Sequence, residues 1–316
     1  MTDMCVFNYD IIYNTVQQLY SKYIVDPQYV YKSCGDYVVV MKLLEDTKTN
    51  LNRNDITDPT NAKYRADKLY TELIFNKFDP NKTVHSISNT FYYKNKITYM
   101  VNSITYPDSF DNDLDKVCTN GIHFFKSIER ALLWELDFNK ILYTGEYKTY
   151  YENGQIKSKC NYIDSELCGE YIVYYENGHI YIKCNYIDDK KCGEYTYYYD
   201  CGQIKKKCNY VDGLLCSECI DYYTNGQIRM KCNYVNGLLC GECIDYYTNG
   251  QIKMKCNYDT IYNTVQQLYG KYIDNPQYVY KSCGDYVAFT YHDLNVVWYE
   301  LYSFFKSIER SLLWDN

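Results

Sequence analysis

The chain has 316 residues and a mass of 37.7 kDa, enough for two or three domains. Hydrophobic residues at 47% and charged residues at 23% exclude a disordered or collagen-like chain, and a net charge of −7 argues against a coat for nucleic acid. Its 43 tyrosines, strand-forming side chains with a wet hydroxyl end, call for extensive half-buried sheet. The N-terminus shows no basic start followed by an apolar stretch, and no run nears the roughly 18 apolar residues of a spanning helix. Sixteen cysteines without a secretory signal then read as reduced thiols of a soluble, intracellular protein, in which Asn81-Lys82-Thr83 carries no sugar.

Residues 1–142 read as an α+β domain. Asp10 is placed to cap a helix whose apolar positions are Ile12, Val16, Leu19, Tyr20 and Tyr23, and Pro27 ends it. Tyr29 to Leu44 patterns as a hairpin about Cys34-Gly35-Asp36, and the polar stretch from Glu45 to Thr60 as a loop. Strands are expected over Lys68–Phe78 and Ile97–Tyr106. A short helix should start near Ser127 and carry Ile128, Ala131, Leu132 and Trp134. Between Ala62 and Trp134 stand Tyr64-Arg65-Ala66, Pro107-Asp108-Ser109-Phe110-Asp111, Cys118 to Phe125, and Glu129 to Ala131. On these motifs the segment resembles a domain of unknown function found beside repeats in giant viruses and some bacteria. The resemblance implies no activity. Heavy use of Asn, Lys and Tyr fits an AT-rich genome and agrees with a large DNA virus as source, acting in the host cell cytoplasm.

From Gly145 the sequence repeats with a strict period of 24, in units starting at Gly145, Gly169, Gly193, Ser217 and Gly241 and ending at Tyr258. Each unit has two tyrosine-rich arms about a glycine: Gly154, Gly178, Gly202, Gly226 and Gly250. Asparagine precedes four of them, while Cys201 precedes the third. Asn-Gly suits a type I′ turn, so each unit is expected to be a hairpin with Tyr151 opposite Ile156 and Tyr147 opposite Cys160. Ile156, Cys160 and Tyr162 alternate with Lys157, Lys159 and Asn161, the period of a strand. Asp221 and Asp245 stand on the apolar face where earlier units have Thr149, Val173 and Tyr197, a departure the pattern does not explain. About ten strands at roughly 4.8 Å spacing would make a sheet about 48 Å wide, stabilised by neighbour stacking.

Gly145-Glu146, Tyr150-Tyr151, Asn153-Gly154 and their equivalents at each step resemble the variant form of the MORN repeat, over residues 143–258. The resemblance implies an elongated, twisted β-hairpin array that acts as a scaffold, with lipid association proposed for some members and antitoxin roles for bacterial relatives. The expected fold is therefore an α+β N-terminal domain, an all-β MORN-like hairpin array over 143–258, and a short α-containing C-terminal cap over 259–316. Asp259 to Tyr286 repeats Asp10 to Tyr37 with 24 of 28 positions identical, and Phe304 to Trp314 repeats Phe124 to Trp134 with one change. This partial copy is expected to cap the last hairpins, because solenoid ends otherwise leave an open edge.

Candidate chemistry is sparse. Cys216-x-x-Cys219 and Cys240-x-x-Cys243 have zinc-ribbon spacing. The 24-residue period alone produces it, however, and equivalent positions in successive hairpins lie about 9.6 Å apart, so no metal and no cofactor is expected. The column Cys160, Cys184, Cys208, Cys232, Cys256 reads as small buried side chains. Cys219 facing Cys232 and Cys243 facing Cys256 could close cross-strand disulfides under oxidant. Lys159, Lys183, Lys207, Lys231 and Lys255, with Lys157, Lys205, Arg229 and Lys253, form a basic ladder that could meet anionic headgroups, or be neutralised by Glu146 and its equivalents. His123, with Asp108, Asp111 or Cys118 as conceivable partners, is the one candidate for a catalytic histidine, against a structural strand-end role. The leading expectation is a non-enzymatic scaffold for an unknown protein partner, with no nucleic acid. The alternatives are an antitoxin-like or immunity-like sequestering protein, association with an anionic membrane surface, and an enzyme centred on His123.

Overall fold

The computed structural model describes residues 5–89, 96–138, 141–258, 278–283, 286–291 and 297–299. It divides into two compact units, Met1–Gln203 and Ile204–Asn316.

In the first unit β1 (Cys5–Asn8) runs directly into α1 (Tyr9–Val25). Asn8, rather than the expected Asp10, caps the helix: its side-chain oxygen accepts from the Ile11 amide at 3.1 Å, filling one of the donors a helix start leaves unpaired. Asp10 lies one residue into the first turn. Ile12, Val16 and Tyr23 bury the inner face, but Leu19 is exposed. The helix bends at Tyr20, and it is the Tyr20 ring that packs inward, 4.8 Å from Phe75.

The expected hairpin is present as β2 (Tyr29–Cys34) and β3 (Tyr37–Lys42), with Cys34 opposite Tyr37. There follow β4 (Lys63–Ala66), β5 (Leu69–Asn76), β6 (Ser86–Ser88), β7 (Thr98–Met100), β8 (Ser103–Thr105), β9 (Ile122–Phe125) and α2 (Ile128–Leu133). Ser127 caps α2, as its position suggested. The single strand expected over Ile97–Tyr106 instead folds back at Asn102, whose φ of 62° only a turn explains, so β7 pairs with β6 and β8 with β5. Six strands form one sheet in the order β4-β9-β2-β3-β5-β8. β3 is an unbroken apolar run because both sheet faces are covered. Val38 and Val40 join one core with Phe7, Val16 and Leu132; Val39 and Met41 join the other with Tyr64, Ile74 and Phe124.

The first repeats continue this unit as β10 (Ile141–Tyr150), β11 (Ile156–Ile163), β12 (Glu166–Leu167), β13 (Gly169–Tyr174), β14 (Ile180–Ile187) and β15 (Lys190–Tyr198). β1 pairs in parallel with β10, Cys5 opposite Ile141 through Asn8 opposite Thr144. The leading edge of the repeat sheet is thereby covered by the chain's own first strand.

The second unit holds β16 (Ile204–Val211), β17 (Leu214–Tyr222), β18 (Ile228–Val235), β19 (Leu238–Tyr246) and β20 (Ile252–Asn257), neighbours in chain order. A three-stranded sheet follows, β21 (Tyr278–Cys283), β22 (Tyr286–Tyr291) and β23 (Val297–Tyr299). In it Tyr278 faces Tyr291 and Cys283 faces Tyr286, the register of Tyr29 with Lys42 and Cys34 with Tyr37 in β2–β3. The duplicated segment therefore keeps its hairpin. The helix expected after Asp259, and Phe304 to Trp314, lie outside the described residues.

The repeats are hairpins, but the Asn-Gly turn is not of the type I′ expected of it. At the Asn-Gly position Gly154 N donates to Tyr151 O at 3.1 Å and Tyr151 N to Gln155 O at 2.8 Å. Only the glycine is left-handed there, with φ of 90°, 87°, 85°, 83° and 84° along the five units. This is a type I turn closed by a glycine bulge. Tyr150 therefore opposes Ile156, not Tyr151, while Tyr147 opposes Cys160 as expected. The turns with two positive φ values lie between hairpins, at Asp164-Ser165, Asp188-Asp189, Asp212-Gly213 and Asn236-Gly237. Cys201 fits its place because that position needs no left-handed residue.

Candidate interaction surface of the repeats

The Tyr-Tyr pair of the first, second and fourth repeats has a structural task. The second tyrosine donates its hydroxyl to the carbonyl of the first tyrosine in the next repeat: Tyr151 to Tyr174 O at 2.6 Å, Tyr175 to Tyr198 O at 2.8 Å, Tyr223 to Tyr246 O at 2.7 Å. Each such bond ties one turn to its neighbour and is worth about 1 kcal/mol.

The basic ladder is matched by acids. Lys159 pairs with Glu146 at 2.8 Å, Lys183 with Glu170 at 2.7 Å, Lys231 with Glu218 at 2.6 Å and Lys255 with Glu242 at 2.5 Å. The pairs join adjacent strands of one hairpin and are half-exposed, so solvent screens them and they neutralise the ladder more than they stabilise it. The glutamate holds the Lys159, Lys183 and Lys231 amines above the ordinary lysine range. Residues 143–258 carry 13 Lys or Arg against 15 Asp or Glu, so no cationic excess is left for phosphate.

Asp221 and Asp245 now have an account. Asp221 opposes Lys206 and Met230, Lys206 Nζ lies 3.4 Å from its Oδ1, and Arg229 bonds Oδ2. Lys253 Nζ lies 3.2 Å from Asp245 Oδ2. Lys206 stands where the first two units have Ser158 and Ile182, whereas the Arg229 position is already basic in the first and third, as Lys157 and Lys205.

A feature not singled out from the sequence is the exposed aliphatic row before each inter-hairpin turn. Ile163 and Ile187 in the first unit, and Val211 and Val235 in the second, are each more than half exposed. Leu214 and Leu238, after the same turns in the second unit, are exposed as well. The signal was available, since this strand-end position is aliphatic in every complete unit beside a polar turn.

The zinc candidates are not brought together. Cys216 opposes Asn209 and Cys240 opposes Asn233, whereas Cys219 opposes Cys232. The register sends the two members of each pair to opposite faces. Cys243 is in a disulfide with Cys232, which revises the expectation that all sixteen cysteines are thiols. No cluster of three or more His, Cys, Asp or Glu able to hold a metal ion occurs among the described residues. Cys160, Cys184, Cys208 and Cys232 are buried, and burial pushes the Cys160 and Cys184 thiols up to about 11.

In the N-terminal domain His123 Nε2 lies 2.9 Å from the Val117 carbonyl. Burial, then Lys63 and Lys32, lower its pKa to about 4. Cys118 donates to Glu152 Oε1 at 2.5 Å, and burial and that carboxylate raise its pKa. Asp111 accepts from Thr119 at 2.9 Å. Two of the candidate partners, Asp111 and Cys118, thus serve other contacts. Arg65, fully buried, donates to the Lys116, Asp111, Asn120 and Asp113 carbonyls and holds the loop before β9. A polar cleft of about 420 Å³ lies beside α1, α2 and β10, lined by Tyr9, Glu129, Arg130, Lys148 and Tyr150. Tyr9 donates to Glu129 across it at 2.8 Å. No helix among the described residues is long and apolar enough to cross a membrane.

Residues 17–131 match a family of unknown function (DUF5758). Five segments, 143–164, 167–188, 191–212, 216–236 and 239–260, match the MORN repeat variant. The chain thus carries five MORN-variant repeats and an N-terminal DUF5758 domain. No curated protein matches it. A solved structure of a GtfA/B complex bound to UDP and GlcNAc is 15% identical over 42% of this chain and 29% of that one, with a TM-score of 0.17. The chain spans less than a third of that protein's length, and a likeness that low carries no argument.

Proposed function

We infer that the protein is a non-enzymatic scaffold whose repeats present recurring exposed aliphatic side chains to a protein partner. The observation that carries this is the 24-residue recurrence of an exposed aliphatic side chain beside a rigid type I′ turn, at Ile163, Ile187, Val211 and Val235. Recurrent apolar groups left in water by otherwise well-satisfied strands are what a binding surface offers. Heavy use of Asn, Lys and Tyr supports a large DNA virus as source. A partner-sequestering, antitoxin-like role uses the same surface. Attachment to anionic membranes is less favoured, because the ladder lysines are paired with glutamates. The test is affinity purification of the full chain from infected cells beside a variant with Ile187, Val211 and Val235 changed to Glu. A partner retained by the parent and lost by the folded variant is expected. Equal recovery by both would remove the aliphatic row from the account. Salt-sensitive cosedimentation with phosphatidylserine vesicles, lost on changing Lys159 and Lys183 to Glu, would favour the membrane reading instead.

A further inference from the structure

In the second unit five cysteines stand in one row across five neighbouring strands. Cys219 on β17 opposes Cys232 on β18; Cys232 opposes Cys243 on β19; Cys243 opposes Cys256 on β20. Cys208 on β16 completes the row at its other end, since Lys207 opposes Ile220 and Asn209 opposes Cys216, with Cys208 facing Cys219 across the bulge between them. The row exists because Cys219 and Cys243 replace the tyrosines of earlier repeats. In the first unit Cys160 faces Tyr147 and Cys184 faces Tyr171, an ordinary small-to-large packing pair. One pair in the row is already oxidised: Cys232 and Cys243 form a disulfide between the fourth and fifth hairpins.

Cys219, Cys232 and Cys243 are nearly or wholly buried, at 1%, 1% and 7% exposure. A sulfur nucleophile from solvent has poor access to that disulfide, whereas Cys219 is held against it by the strand ladder. The register sets Cys219, Cys232 and Cys243 at one level on adjacent strands, so Cys219 neighbours Cys232 on the side away from Cys243, the side from which a thiolate must attack to expel Cys243. Cys219 is also the thiol best placed to ionise. The Cys208 thiol donates to its sulfur and Lys206 stands nearby, which together lower its pKa while that of Cys208 rises.

We propose that this row is a thiol–disulfide exchange site in which the disulfide moves between Cys232–Cys243 and Cys219–Cys232. The Cys219 thiolate attacks Cys232 Sγ; the Cys219–Cys232 bond forms as the Cys232–Cys243 bond breaks; and the electron pair leaves on Cys243. The proton lost by Cys219 is made up at Cys243, so the step needs no oxidant or reductant. Its consequence is mechanical. In one form the disulfide joins the fourth hairpin to the fifth; in the other it lies inside the fourth hairpin, and the fifth is joined to it only by the chain at Asn236-Gly237 and by noncovalent contacts. Cys256, partly exposed at the end of the row, is where a small disulfide such as oxidised glutathione would enter, forming Cys243–Cys256 with release of two reduced glutathiones.

The test uses the full chain, equilibrated without oxygen in a mixture of reduced and oxidised glutathione, quenched in acid and alkylated. Cleavage after Lys207, Glu218, Arg229, Lys231, Glu242 and Lys253 places each cysteine of the row on a separate peptide. Both the Cys232–Cys243 and Cys219–Cys232 linked peptides are expected in the parent, and the second is lost in Cys219→Ser. Cys243→Ser should collect the link at Cys219–Cys232. Cys232→Ser should divide it between Cys208–Cys219 and Cys243–Cys256. A parent with Cys232–Cys243 as its sole link at every pH from 6 to about 9, or one with all five thiols alkylated in oxidised glutathione, overturns the proposal. So does a Cys243→Ser variant that keeps its strand circular dichroism and forms no Cys219–Cys232 link.

Discussion

Cys201 is the one departure from asparagine among the five hairpin turns, and its cost can be stated. Asn153, Asn177, Asn225 and Asn249 each accept a hydrogen bond from the amide two residues on, at 3.0 Å in every case. Cysteine cannot make that bond, although the backbone turn is unchanged, with Gly202 N donating to Tyr199 O at 2.9 Å. Cys201→Asn should therefore stabilise the protein by about 0.5–1 kcal/mol, read as a higher urea midpoint at unchanged slope; no gain would mean the exposed side chain is satisfied by water in all five turns. His123 sets a pH dependence. Its pKa falls from 6.5 to about 4 on folding, so the unfolded chain binds the extra proton between those values. The contribution of the neutral ring is complete above about pH 6.5 and disappears as the pH falls to about 4. His123→Gln, whose amide can still donate to the Val117 carbonyl, should show a flatter melting temperature over that window. Two equally steep profiles would assign the acid sensitivity to other groups.

Among whole elements, the first hairpin differs from the rest in what its turn touches. The Thr57 and Asp58 amides donate to Asn153 O at 3.0 and 3.1 Å, and Lys63 N donates to Glu152 O at 3.0 Å. A Cβ added at Gly154 would lie 2.0 Å from Asp58 O and 2.7 Å from Ala62 N, both backbone atoms; one added at Gly226 would meet nothing within 4 Å. Both glycines are left-handed. Gly226→Ala should then cost about 1 kcal/mol, the left-handed penalty alone, and Gly154→Ala roughly 3 kcal/mol or more, because the 57–62 segment must also move. Equal losses in urea unfolding would mean the first turn does not dock on that segment. Hairpin number, period and the facing of Tyr147 with Cys160 were legible in the sequence, because glycine spacing and strand alternation constrain them directly. Turn type was not. An Asn-Gly pair serves a type I′ turn and a glycine-bulged type I turn equally well, and the deciding bonds, Tyr151 with Gln155, involve residues found in any strand. Nor was the zinc spacing decisive, since sequence separation does not report the face a bulge assigns to Cys216. The division of Ile97–Tyr106 into two strands depends on Asn102 alone, a residue whose left-handed conformation leaves no periodic trace.

For the molecule as a whole, the question a repeat sheet poses is how its two edges are kept from pairing with another copy. The leading edge is answered by β1, which lies parallel to β10 from Ile141 to Thr144 and sends Phe7 into the core against Phe78 and Tyr143 at 5.7 and 5.8 Å. Deleting residues 1–7 leaves the Asn8 cap of α1 in place, bares the β10 backbone and removes a fully buried ring. The shortened chain should self-associate in size exclusion with light scattering and lose about 3–5 kcal/mol of stability. A monomer with lowered stability would mean that Phe7 matters and the edge does not. At the other end β20 pairs with β19 and, among the described residues, with no other strand. Its Lys253 and Lys255 are half-exposed, and charge is one way an edge resists pairing. The duplicated hairpin β21–β22 belongs to the same compact unit and retains the parent register, so a second edge cover built from the partial copy is the other. Removing residues 259–316 separates the two. If the copy covers β20, the truncated chain should self-associate as the 1–7 deletion does, and Lys253→Ala with Lys255→Ala should leave the full chain monomeric. If the lysines protect the edge, the truncated chain stays monomeric and the double alanine variant of it does not.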